Sequence, residues 1–176
     1  MKLFRRSPST SWQPAWRLDA VVNLWRLKFS GTGRILGEAR DLEAKSASFF
    51  CCDERDGRLL WSGLRLHEPW WIGIEDIDQG RFYLHGFRKP DMPQHRGIFA
   101  FDLESGAPLW RSEELAFLFA FDGGVYASEQ RFDGIHVLRL SPEDGSVAEE
   151  LGQQHERVNR MRALINEQDS FAGYRY

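Results

Sequence analysis

The chain has 176 residues, the length of one ordinary domain, and its 42% hydrophobic and 28% charged residues have the balance of a globular protein. A formal charge of −3 argues against broad electrostatic capture of nucleic acid, and two cysteines cannot supply a disulfide framework. No apolar run approaches the roughly 18 residues of a transmembrane helix. Aromatic residues are abundant at 14%, with 7 Trp and 13 Phe, which suits stacked sheets whose flat rings fill the space between layers.

In chain order, residues 1–17 mix Ser, Pro, Trp and Arg without periodicity and read as a loose arm that Trp12 and Trp16 tack onto the body. Two arginines stand near its start, but no apolar run follows them as in a signal peptide, so the expected setting is a reducing cytoplasm. From Leu18 to Gly152, short apolar runs alternate with Gly, Asp and Pro. Strands are predicted at 21–29, 34–39, 47–52, 59–66, 71–76 and 81–87, and then at 97–102, 108–112, 117–121, 125–131, 136–140 and 146–150. Their short, even spacing is that of an all-β sandwich, barrel or propeller. In 153–168 the period changes: Val158, Met161, Leu164 and Ile165 recur at helical spacing, predicting one amphipathic helix packed on the sheets, with 169–176 as a tail.

Two segments repeat closely, SFFCCDERDGRLLW (Ser48–Trp61) and GIFAFDLESGAPLW (Gly97–Trp110). Each runs apolar strand, Asp, three residues, Gly, two residues, Leu, Trp. A weaker copy, Ile135–Leu151, keeps Gly145 but has Ser141 for the Asp and Glu149 for the Trp; a fourth, fainter one surrounds Gly33. Asp53 and Asp102 can turn their carboxylates onto backbone N–H groups, Gly57 and Gly106 supply a positive φ, and Trp61 and Trp110 can wedge between sheets. Such hairpins bury their apolar faces only by stacking.

Phe101, Asp102, Ser105, Gly106 and Trp110 resemble the signature of quinoprotein-like (PQQ-type) β-propeller repeats, with Cys52 standing where the aromatic residue falls in the first copy. The stretch from Glu68 to Asp102, and QRFDGIH after it, is similar to an uncharacterised bacterial family, domain of unknown function 4905, over roughly 18–152. The resemblance implies a propeller-like stack of about three to four blades, open or partial, and brings no activity with it. Some quinoprotein dehydrogenases set a disulfide between adjacent cysteines against their cofactor. Here Cys51 and Cys52 lie within a strand, where neighbours face opposite sides, so they read as buried free thiols and no cofactor is expected.

The densest polar segment is 84–97, with His85, Arg88, Lys89, Asp91, His95 and Arg96 around Pro90 and Pro93, and two prolines make it a shaped loop. Trp70 and Trp71 offer an aromatic wall for a ligand, although adjacent aromatics more often face packed layers, which favours the core for them. Asp76, Asp78 and Gly80 match half of a calcium loop and lack its other ligands, so they read as a turn. His85, Asp91 and His95 match no closed zinc spacing, and no metal or catalytic residue is assigned. The leading expectation is a non-enzymatic binding or protein-interaction domain, its partner meeting the face lined by Arg88–Arg96 and by Arg131–Gly134 with Asp133, or self-association through open sheet edges, with no nucleic acid or membrane as partner. The alternative is an enzyme or a small-ligand or metal sensor using the 84–97 loop beside Trp70 and Trp71.

Overall fold

The computed structural model describes residues 13–19, 23–87 and 94–172. Twelve strands precede one helix: β1 Asn23–Phe29, β2 Arg34–Asp41, β3 Ser46–Asp53, β4 Leu59–Leu64, β5 Ile72–Asp78, β6 Arg81–Phe87, β7 His95–Asp102, β8 Pro108–Ser112, β9 Ala116–Phe121, β10 Gly124–Arg131, β11 Gly134–Leu140, β12 Val147–Gly152 and α1 His155–Ala172. They form three four-stranded antiparallel meanders, β1–β4, β5–β8 and β9–β12. Short hairpins make this order the natural one; the β5–β6 turn, for instance, is Gln79–Gly80, both at positive φ, as a two-residue type I′ turn requires.

The three sheets stack as propeller blades. Leu36, Phe49 and Cys51 of the first blade pack on Ile74, Leu84 and Phe101 of the second, and Tyr83, Ile98 and Ala100 of the second pack on Val125, Ala127 and Leu138 of the third. The far face of the first blade, Ile35, Phe50 and Cys52, is covered by Trp16 and Leu18. The far face of the third, with Phe119, Tyr126, Val137 and Leu151, is covered by α1 through Val158, Met161 and Ile165. The stack is therefore an open arc of three blades, and its two outer faces are closed by separate devices.

One joint is used repeatedly. The Trp61 indole N–H donates to the carbonyl of Leu103 (2.8 Å) and that of Trp110 to Pro142 (2.9 Å), each ring lying on the turn glycine of the next blade. Gly106 and Gly145 sit at φ +70 and +72, and a Cβ there would fall 2.9 and 2.6 Å from the ring, so only glycine fits. The turns are alike: each glycine N–H donates 2.9 Å back to the carbonyl of Asp53, Asp102 or Ser141. The Asp53 and Asp102 carboxylates accept backbone N–H groups from Arg55 (2.9 Å) and Ser105 (2.8 Å), as the repeat predicts. Beside the tryptophans, Arg34 pairs with Glu104 and Arg81 with Glu143, again from one blade to the next.

The arm adds a third copy of this joint. Trp16 donates to the carbonyl of Glu54 (2.8 Å) and its ring covers Gly57, itself at φ +70. Pro14-Ala15-Trp16-Arg17 thus occupies the place that Pro108-Leu109-Trp110-Arg111 occupies two blades later. Trp12 lies outside the described residues.

Two expectations are corrected. The copy around Gly33 is not a blade turn of the same kind: it is the β1–β2 hairpin, whereas the true repeats are the β3–β4, β7–β8 and β11–β12 hairpins, so the blades number three. The helix runs to Ala172 rather than ending at 168, as no Gly or Pro falls between 169 and 172. Cys51 and Cys52 are buried, free and on opposite faces, and burial pushes the Cys51 thiol up to about 12.

Candidate functional site

Each blade has two ends. The Asp–Gly hairpins crowd one; the other carries segments 42–45, 65–71 and 113–115 and the β10–β11 turn, and the polar chemistry collects there. A cleft of about 380 Å³ opens at that end between the first and second blades. Its walls are shaped by departures from regular pairing. β1 carries Trp25 as an extra residue against β2, β5 carries Glu75 as an extra residue against β6, and β7 carries one extra residue at Gly97–Ile98 opposite His85. A bulge turns a side chain away from the alternation of its strand, and these three converge on one place.

Deep in the cleft, Glu38 and Arg40 form a buried pair at 2.7 Å. Arg40 also donates to the carbonyls of Trp70 (3.1 Å) and Ile72 (2.6 Å), and its guanidinium lies 5.1 Å from the ring centre of Trp25 and 4.8 Å from that of Trp70. The second oxygen of Glu38 accepts from Ile74 N–H (3.3 Å). Each of the three guanidinium nitrogens donates either to a carbonyl at the start of the second blade or to Glu38, so the pair fastens the first blade to β5.

The expectation that Trp70 and Trp71 belong to the core is overturned. Both precede β5 in a bend held by Glu68, whose carboxylate accepts both of their backbone N–H groups at 3.0 and 2.9 Å. Outside the strand they escape its alternation; Trp71 is 37% exposed and both line the cleft.

Glu75, His85 and His95 come from three successive strands, with one ligand-type atom of each within 4.8 Å of the others. The His85 and His95 rings stack at 3.5 Å between centres and 7° between planes, with Phe87 edge-on to both. His95 Nδ1 hydrogen-bonds Glu75 Oε1 at 2.6 Å. His85 is 3% exposed, and its Nδ1 lies 3.2 Å from the same oxygen but out of line for a hydrogen bond, a buried nitrogen without a partner among the described residues. Burial raises the Glu75 pKa, but the close approach of His85 and the hydrogen bond with His95 outweigh it and hold the carboxyl below its ordinary value. Gly73 leaves the room: a Cβ there would meet His85 Cε1 at 3.0 Å.

Of the other residues singled out in the sequence, Arg96 borders a second depression at the same end, about 560 Å³, between the second and third blades, which shares His95 with the first. Arg96 pairs with Glu114, Arg131 with Glu129 and Glu150, and Asp133 with His136. Arg131 and Asp133 share the end of the blades with His95 but do not join its cluster. Arg88, Lys89 and Asp91 lie outside the described residues. Asp76 and Asp78 face the opposite end, in a depression of about 820 Å³, where Lys28 already pairs with Asp76. Sequence reasoning missed Trp25, Glu38, Arg40 and Glu75. A trace of the buried pair is visible in ILGEARD, where two charged residues stand on alternate positions of an otherwise small and apolar strand.

Three meandering blades joined by tryptophan-on-glycine contacts define a propeller-type β-repeat protein. Residues 30–110 match the family described as domain of unknown function 4905, from the β1–β2 turn to Trp110 in β8. No curated protein matches the sequence. Among the solved structures that match is the crystal structure of BamB from Moraxella catarrhalis, 14% identical with a TM-score of 0.34, over 72% of this chain and 48% of that one. The chain thus corresponds to about half the length of that protein.

Proposed function

We propose that this protein is a non-enzymatic binding domain that meets a protein partner with the end of the blades opposite the Asp–Gly hairpins. The observation that carries the reading is that three of the exposed aromatic side chains, Trp25, Trp71 and Phe132, are at that end with Leu24, Leu42 and Ile135, Phe132 standing fully exposed at the tip of the β10–β11 turn; of the other exposed large apolar residues, Leu27, Phe29, Leu59, Leu109, Val147 and Leu164, only Phe29 is aromatic. Exposed Trp and Phe beside Arg96 and Arg131 have the make-up of a protein-binding centre with a charged rim. Rigid blades hold these residues while the connecting segments present them. The buried free thiols of Cys51 and Cys52 support a reducing, cytoplasmic setting. No helix among the described residues is long and apolar enough to cross a membrane.

A photocrosslinking side chain placed at position 132, and at position 109 on the outer strand β8 as a control, tests the reading in cells. The expected result is a discrete protein adduct from 132 that disappears when Trp71 and Arg131 are replaced by Ala. Adducts from 109 alone, or an adduct from 132 indifferent to those changes, would overturn it.

A further inference from the structure

We propose that Glu75, His85 and His95 form a binding site for a divalent first-row transition ion, with Zn²⁺ the natural occupant. Two imidazoles and one carboxylate are the donor set such ions take, and they leave at least one coordination position open. Three observations point to a ligand rather than to a self-satisfied polar cluster. First, the His85 Nδ1 is buried and has no hydrogen-bond partner among the described residues, although Glu75 Oε1 is only 3.2 Å away. Such a nitrogen is destabilising if left unpaired, and a metal bond is one way of satisfying it. Second, the three donors are delivered by β5, β6 and β7 with bulges at Glu75 and opposite His85, so the backbone departs from regular pairing where the donors need to meet. Third, Gly73 keeps clear the space beside the His85 ring that any larger residue would fill.

The geometry also says what must move. Two donors bound at about 2.0–2.1 Å in a tetrahedral site are about 3.3 Å apart. His85 and Glu75 already stand at 3.2 Å, whereas His95 and Glu75 stand at 2.6 Å, a hydrogen-bond distance. His95 is the donor able to adjust: its side chain is 38% exposed and it opens β7, so its ring can tilt out of the parallel stack and aim its lone pair at the ion. On binding, His95 exchanges its hydrogen bond for a metal bond at Nδ1 and carries its ring proton on Nε2, while Glu75 supplies the carboxylate. Both histidines line the 380 Å³ cleft, so the open position faces it. The site stands whether or not a protein docks on that end of the blades.

The test uses the purified full chain, stripped with a chelator and titrated with Zn²⁺ by calorimetry and with Co²⁺ followed by its visible d–d absorption. One equivalent should bind, with Co²⁺ showing the intense absorption of a low-coordinate N/O site. Glu75→Gln and His95→Gln should each weaken binding at least tenfold while leaving the far-UV circular dichroism unchanged. His136→Gln, at the Asp133 pair on the same end, should leave binding untouched. Absence of saturable binding to the wild type, equal affinity in the wild type and both ligand variants, or loss of binding in His136→Gln alone would each overturn the assignment.

Discussion

The two outer faces of the arc are finished in different ways. On the first blade, the arm presents Trp16 to Gly57 as Trp61 is presented to Gly106 and Trp110 to Gly145, so the face is closed by a copy of the joint used inside the stack. On the third blade the tryptophan and the arginine that would reach a further blade are both missing. Glu149 stands where Trp61 and Trp110 stand, and Gly124 opens β10 where Arg34 and Arg81 open β2 and β6. Glu149 instead pairs with Arg157 of α1 at 3.0 Å, and the helix lays its apolar side on the sheet. A repeat stack buries each face against its neighbour, and a terminal face needs a cap with a polar exterior. Here one cap imitates a neighbouring blade and the other is a different element.

If the interior joints carry the arc, they should be the most sensitive positions. Trp61→Ala removes a ring stacked 5.5 Å from Phe82 along with a hydrogen bond to the next blade, and should cost about 3–5 kcal/mol in a urea titration. Gly106→Ala forces a Cβ into that ring at a positive φ and should cost about 2 kcal/mol. Trp16→Ala, at the half-exposed copy, should cost about 1–2 kcal/mol. That variant also sharpens the comparison chemically. Cys52 faces the arm and Cys51 faces the second blade, so thiol labelling of native protein at pH 8 should accelerate at Cys52 and stay negligible at Cys51, whose raised pKa leaves almost no thiolate. Glu149→Ala breaks a pair whose side chains are about two-fifths exposed and should cost under about 1 kcal/mol. A Trp16→Ala loss as large as that of Trp61→Ala would mean that the arm is an equal structural member.

The joints were legible in the sequence because each is local: an Asp, a positive-φ glycine and a tryptophan at fixed offsets. The arm's copy escaped notice because Trp16 follows no Asp–Gly turn of its own. Its partner turn, Asp53–Gly57, is nearly 40 residues further on, and a contact at that separation leaves no spacing to read. The candidate site divides in the same way. His85, His95, Trp70 and Trp71 stand out by residue type. Glu75 does not, since in IGIEDID it looks like one acidic residue of several, and only the bulge gives it a direction different from its neighbours. For the same reason the sequence pairs His85 and His95 with Asp91, which is near in sequence, whereas the carboxylate found beside them is on another strand.

The claim that the tryptophans lock one blade to the next is tested most directly by hydrogen exchange at the indole N–H groups, followed by NMR on protein labelled with ¹⁵N-tryptophan. Trp61 and Trp110 should exchange slowest, Trp16 at an intermediate rate, and Trp25, Trp70 and Trp71 rapidly. Indole protons of Trp61 and Trp110 that exchange as fast as that of Trp71 would contradict the account.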